Sequence, residues 1–237
     1  MTAIAHRAAP PGTRMRRAPR QRARQALLAP YAVTNLRFGR FVEATGHVTE
    51  AERDGWSFVF AGRLAADFPP TRALASAPWW RAVDGASWRA PDGPGCVARP
   101  DHPVVHVSFA DAQAFCAWAG TRLPTDAEWE HAARAGATGK YPWGDEWSHA
   151  RANSWRGAAF PDGVAGTVPV DAYEPNAAGL FNVVGNVWEW TAERSIRGGS
   201  YLCHPSYCDR NQLSGRSTGD APMGHIGFRT AASRPAG

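Results

Sequence analysis

HPVVHVSFADAQAFCAWAGTRLPTDAEWEHAARAG, residues 102–136, is the longest stretch of the chain with a readable period. Val104, Val105, His106 and Val107 predict a short buried strand. Ser108 then opens a helix, with Asp111 three residues on, where its carboxylate can return the capping hydrogen bond. Thr125 and Glu128 repeat the same box and open a second helix that stops at Gly136. Working outward, Thr34 caps an earlier helix with Leu36, Phe38, Phe41 and Val42 on its apolar face and Gly46 as its stop. The segment from about 62 to 104 is dense in proline and glycine, and Trp79, Trp80 and Trp88 are expected to anchor it. Beyond Tyr141 no long periodic segment follows, so roughly 95 residues read as loops, short strands and turns.

Composition fits that picture. The chain has 237 residues, of which 44% are apolar and 20% charged, enough for a core and too apolar for a disordered chain. With 24 glycines and 19 prolines it is too turn-rich for a helix bundle, and its 11 tryptophans suit irregular backbone pinned by large rings. No apolar run reaches membrane-spanning length, so no membrane partner is expected. The net charge of +5 is misleading, because residues 1–24 carry seven arginines and no acid; the remainder nets −2. A basic face suited to nucleic acid is therefore not expected on the body. The reading is a basic, disordered tail over 1–30 that merges into an incomplete first strand, and one domain over 31–237, a monomer. A single lysine, Lys140, against 25 arginines suggests a GC-rich bacterial genome, and the tail lacks the apolar core of a secretory signal, so a bacterial cytoplasm is expected.

Cys96 and Cys116 stand alone and read as structural thiols. Cys203 and Cys208 sit in GGSYLCHPSYC, residues 198–208, among polar and aromatic neighbours. Their spacing allows a small disulfide loop, half a zinc site or a two-thiolate site; a pair of soft thiolates without further ligands suits Cu(I). An oxygen-rich pattern runs through Asn182, Gly185, Val187 and Glu189, and another through Asn153, Ser154, Asp162 and Val164. Either could turn carbonyls and side-chain oxygens toward Ca²⁺, and either could simply form Asx turns with Glu189 at the surface. There is no Gly-x-Ser-x-Gly elbow, phosphate loop or His-Glu-x-x-His.

HPVVHVSF (102–109), RLPTDAEWE (122–130), YPWGDE (141–146), GNVWEW (185–190), RGGSY (197–201) and GFR (227–229) together resemble the sulfatase-modifying factor superfamily, in order and over residues 31–231. The resemblance implies an α+β fold, a variant of the C-type lectin-like fold with little regular structure. SYLCHPSYC (200–208) resembles the active-site segment of formylglycine-generating enzymes. By that resemblance Cys203 and Cys208 hold Cu(I), Ser200 orients the oxygen-binding side, and Tyr207 and His204 shape the site. The implied substrate is a sulfatase polypeptide with a Cys-x-Pro-x-Arg motif, whose cysteine is oxidised with O₂ to Cα-formylglycine. The family's calcium positions map onto Asn153, Ser154, Asp162 and Val164, and onto Asn182, Gly185, Val187 and Glu189.

The chain also departs from the family. PGTRMRR (11–17) is a poor match for the opening strand, six residues separate Trp190 from Arg197 where a longer loop is common, and His225 stands where an asparagine is usual. Leu213 and Thr230 occupy the places of cysteines that pair in secretory-pathway relatives. A calcium-stabilised lectin-like accessory domain without catalysis is the alternative reading.

Overall fold

The computed structural model describes residues 27–157, 165–204 and 210–232. Local capping signals set the helices. Helix α1 (Asn35–Thr45) begins where Thr34 accepts the Arg37 N–H and ends with Gly46 in the left-handed region. Helix α2 (Glu50–Asp54) and the two longer helices α3 (Phe109–Trp118) and α4 (Asp126–Arg134) each open on a complete capping box, Thr49/Glu52, Ser108/Asp111 and Thr125/Glu128. Each box satisfies two backbone donors that a helix start leaves open.

The strands are short and form three small antiparallel or mixed sheets. Strand β1 (Leu27–Leu28) pairs with β9 (Ala231–Ala232), joining the two ends of the described chain. Strand β2 (Trp56–Phe60) pairs with β4 (Ala77–Asp84), whose other edge takes β3 (Ala73–Leu74). The third sheet has the order β7 (Arg216–Thr218), β6 (Ser195–Arg197), β5 (Trp188–Trp190), β8 (Ile226–Gly227), with β5 and β8 parallel. A core of rings holds these pieces together. Phe38 and Phe41 of α1 meet Phe115 of α3, and Phe38 also meets Trp88 and Phe228. A second cluster gathers Trp129, Tyr141, Val183, Val184 and Leu213. Ring-to-ring contacts of this kind add about 0.5–1.5 kcal/mol each beyond their buried area.

Four sequence expectations change. Residues 104–107 are buried but form no strand, because His106 takes a left-handed φ of 58° and turns its backbone N–H to the Met223 carbonyl. That conformation is held by His106 Nδ1 against Ser57 Oγ and Nε2 against the Pro91 carbonyl, both at 2.8 Å. Leu36 points to solvent, and Asn35 takes its place on the inner face of α1. Trp79 is 40% exposed, whereas Trp80 and Trp88 are buried as expected of anchors. Residues 27–30 belong to the folded body: Leu28 is buried, and Arg229 donates to the carbonyls of Ala29 and Pro30. Residues 1–26 lie outside the described part.

Candidate active site

Strand β6 ends at Arg197, and Gly198 and Gly199, both with positive φ, swing the chain into a tight turn over Ser200–Cys203. A side chain at Gly199 would overlap Asn211, so the reversal needs glycine there. Within the turn the Cys203 N–H donates to the Ser200 carbonyl at 3.0 Å, and the Leu202 N–H donates to Ser200 Oγ at 3.2 Å. The Ser200 N–H points back at Cys203 Sγ, 3.4 Å away. A donor aimed at sulfur favours the thiolate, the form that binds metals and acts as a nucleophile. The turn is clamped from outside by the Trp155 N–H on the Cys203 carbonyl and the Tyr201 N–H on the Asn186 carbonyl.

Cys203 is itself buried and packs with Trp188, Ile196 and Ile226. It opens onto a cleft of about 970 Å³ walled by Phe58, Trp79, Trp80, Trp155 and His225, with Arg210 and Asp220 also lining it. Such a surface suits an extended peptide with apolar and aromatic-stacking residues. His225 stacks on Trp80 with centroids 4.5 Å apart, and its Nδ1 is buried without a partner. Burial, reinforced by His106 nearby, pushes its imidazole down to about 3, so it faces the cleft neutral. Ser200, Cys203 and His204 line the same cleft; Tyr207 and Cys208 lie outside the described residues. Cys96 and Cys116 do not reach this cleft. Cys116 is buried among α1 and α3 rings, and burial pushes its thiol up to about 11.

The two oxygen-rich segments come together behind the turn. A side chain at Gly185, where φ is 78°, would run into the Asn153 carbonyl, and that carbonyl accepts the Asn186 N–H at 2.8 Å. Asn153 and Ser154 are buried; Asp162 and Val164 lie outside the described residues. Asn182 donates to the Val170 carbonyl at 2.9 Å, leaving its Oδ1 buried and unpartnered. An orphaned amide oxygen is a donor atom that a hard cation would satisfy. Val187 is buried. Glu189 is buried rather than surface-exposed, and its carboxylate is already taken. Arg229 holds both oxygens, at 2.6 and 2.7 Å, and Trp129 Nε1 donates to one of them at 2.7 Å.

That Arg229–Glu189–Trp129 cluster is the part of the site region that sequence reading missed. It joins β5, α4 and the segment that follows β8, from positions 40 and 60 residues apart. The signal was present: an arginine and a glutamate inside apolar motifs have to find each other when buried. Asp126 was missed likewise, and it pins the start of α4 to Ser195, Thr191 and Arg216. Among the described residues no three His, Cys, Asp or Glu side chains cluster as a metal site.

Comparison with known proteins places this geometry. The family model for the sulfatase-modifying factor enzyme 1-like domain matches residues 7–234. A formylglycine-generating enzyme of Thermomonospora curvata is 47% identical over 87% of this chain and 81% of its own length. The inactive Cα-formylglycine-generating enzyme 2 of Bos taurus is 42% identical over 90% of this chain and 81% of its own. Among solved structures, PvdO from Pseudomonas aeruginosa superposes with a TM-score of 0.62 at 25% identity, covering 87% of this chain and 79% of that one. The small helices and sheets described above are those of the formylglycine-generating-enzyme fold, the α+β variant expected from the sequence. With a family model spanning nearly the whole chain and a relative at 47% identity, the protein belongs to the sulfatase-modifying factor family.

Proposed function

We propose that this protein activates sulfatases by oxidising a substrate cysteine in a Cys-x-Pro-x-Arg motif to Cα-formylglycine. The observation that carries the reading is Cys203, buried at the floor of an aromatic cleft with the Ser200 N–H directed at its sulfur. That donor fits a metal-bound thiolate, and Cys203 with Cys208 would hold Cu(I), a soft ion suited to two sulfur ligands. When bound, copper would supply the one-electron chemistry needed to reduce O₂. The conversion removes sulfur as sulfide and leaves an aldehyde; O₂ takes two electrons from the cysteine and two, with two protons, from a pair of external thiols that close as a disulfide, so that the net products are the aldehyde, hydrogen sulfide and water. The chain's own part is positional. Ser200 directs its N–H at the Cys203 sulfur, Trp188, Ile196 and Ile226 shield it from water, and the ring-lined wall takes the peptide. A reducing cytoplasm would keep the pair from closing as a disulfide.

We propose in addition that Ca²⁺ is held at Asn153 and Ser154 with Asp162 and Val164, and at Asn182, Gly185 and Val187 with Glu189. The orphaned Asn182 oxygen supports the second of these. The similarity to an inactive relative favours one rival reading, an accessory domain without catalysis. A turnover assay separates them: a Cys-Thr-Pro-Ser-Arg peptide with Cu(I), a thiol reductant and air, followed by mass spectrometry. Copper-dependent aldehyde that disappears in Cys203→Ser supports the oxidase; no product from a protein that is folded and copper-loaded refutes it.

A further inference from the structure

We propose that Asp220 is the carboxylate that receives the arginine of the substrate motif and so sets the cleft's preference for a basic residue. The inference rests on the peptide-oxidising reading above and concerns which side chain enforces it. Three observations carry it. Asp220 lines the same cleft as Cys203, and among the described residues lining that cleft it is the sole acidic side chain. Nearby acids are already committed, Asp126 to Arg216 at 2.8 Å and Glu130 to Arg197 at 2.7 Å, whereas the exposed Asp220 carboxylate makes no ion pair or hydrogen bond with any described residue.

The third observation is that Asp220 is on a fixed arm. Just before it, Gly219 lies flat on the Trp190 ring, where a side chain could not fit. Just after it, the Pro222 carbonyl accepts from Ser57 Oγ at 3.0 Å, the Met223 carbonyl accepts the His106 N–H at 3.1 Å, and the Gly224 N–H donates to Phe58 at 3.1 Å. A carboxylate held this way pays little ordering entropy when it meets a guanidinium. The only other charged side chain lining the cleft, among the described residues, is Arg210, steered by Ser217 Oγ at 3.0 Å. It would repel an arginine placed on its side and so fixes the direction in which the peptide lies. In the motif the arginine follows the cysteine by four residues, a reach of about 13–14 Å for extended chain plus the side chain. Cys203 and Asp220 line one cleft of about 970 Å³.

The test uses the full-length protein and two fluorescein-labelled peptides, Cys-Thr-Pro-Ser-Arg and the same peptide with leucine in place of arginine. Affinity is read by anisotropy, and KM and kcat by aldehyde formation. Asp220→Asn should weaken binding of the arginine peptide about tenfold and raise its KM alike, the cost of one lost charged contact. Its kcat and its affinity for the leucine peptide should stay within about twofold, because the altered group meets only the arginine. Asp220→Arg should in turn prefer a peptide ending in glutamate. Equal affinity of wild type for both peptides, or an equal loss for both in Asp220→Asn, overturns the assignment. If wild type binds the arginine peptide selectively yet never oxidises it, the activity reading fails while Asp220 stands.

Discussion

Replacing Arg229 by methionine is the sharpest probe of the architecture. Arg229 is 0% exposed and its partner Glu189 2%, measured on the side chains. The guanidinium makes two hydrogen bonds to the carboxylate, at 2.6 and 2.7 Å, and donates to the carbonyls of Ala29, Pro30 and Phe181 at 2.8–3.2 Å. Arg229→Met leaves Glu189 charged, buried and served by Trp129 alone. Breaking a buried pair from one side costs about 3–5 kcal/mol, since the remaining charge keeps its desolvation penalty. For a chain of this length each kcal/mol lowers Tm by about 2–4 °C, so a fall of roughly 6–20 °C is expected in thermal unfolding followed by circular dichroism. The double variant Glu189→Met with Arg229→Met removes the stranded charge and should recover part of the loss. It should not reach wild type, because Trp129 Nε1 and three carbonyls lose their partners. Arg89→Ala is the control: Arg89 is more than half exposed and sits 3.4 Å from Glu52, so less than about 1 kcal/mol should be lost. If Arg229→Met costs no more than Arg89→Ala, the account of this cluster as the internal tie of the fold is wrong.

Adding Ca²⁺ to chelator-treated protein should raise Tm, and Asn182→Ala should blunt that gain; an identical calcium response in the variant would remove Asn182 from the ligand set. Gly185→Ala puts a methyl group into the Asn153 carbonyl at a φ of 78°, and unfolding in urea should show a loss of about 2 kcal/mol or more. Acid should destabilise the α4 region first. The Arg122 hydrogen bonds hold Glu128 below the usual carboxylate range. For Asp126 and Glu130 burial pulls upward, but hydrogen bonds from Ser195 and Thr191, and from Arg197 and Arg134, outweigh it, so both are held low. Depressed carboxylates stabilise fully above their unfolded values, near 4, and lose that contribution as pH falls through the folded ones. Urea midpoints should therefore be insensitive to these groups above about pH 5 and decline below it, with a shallower decline in Glu128→Gln.

What the sequence made legible was whatever is written locally. Ser108 with Asp111 and Thr125 with Glu128 declared α3 and α4, because a capping box is complete within four residues. The Cys203 turn was legible as well, since its glycine pair and serine lie within six residues of the thiol. Tertiary demands were not. The apolar run at 104–107 has a strand's composition, yet the left-handed turn at His106 is imposed by Ser57 and Pro91, 49 and 15 residues away. Leu36 fits the helical period of α1, but Asn35 is drawn inward by the Arg99 carbonyl at 2.9 Å. Glu189 read as a surface acid or a cation ligand because its partner Arg229 lies 40 residues on, and only the two apolar motifs taken together imply the pair. The three helices of eight or more residues were visible, whereas the pairing of β2 with β4 depends on a stretch that pattern alone showed only as turns.

The position of the oxygen-rich segments explains how a chain with so little regular structure can hold the Cys203 turn still. Asn153 accepts the Asn186 N–H, Asn186 accepts the Tyr201 N–H, and Gly185 donates to Gly198 at 2.9 Å, so both segments are bonded directly to the Gly198–Cys203 turn. Asn186 adds side-chain bonds to Val168 in both directions, at 3.0 and 3.2 Å. The turn is therefore one edge of a small lattice of backbone and asparagine amides rather than a loop hung from a strand. Cations seated at Asn153 and Asn182 would brace that lattice from behind, two residues from the bonds that orient Cys203. On this view calcium would act on the chemistry through the rigidity of the turn alone, and the buried Glu189–Arg229 tie beneath it would do the same work without a metal.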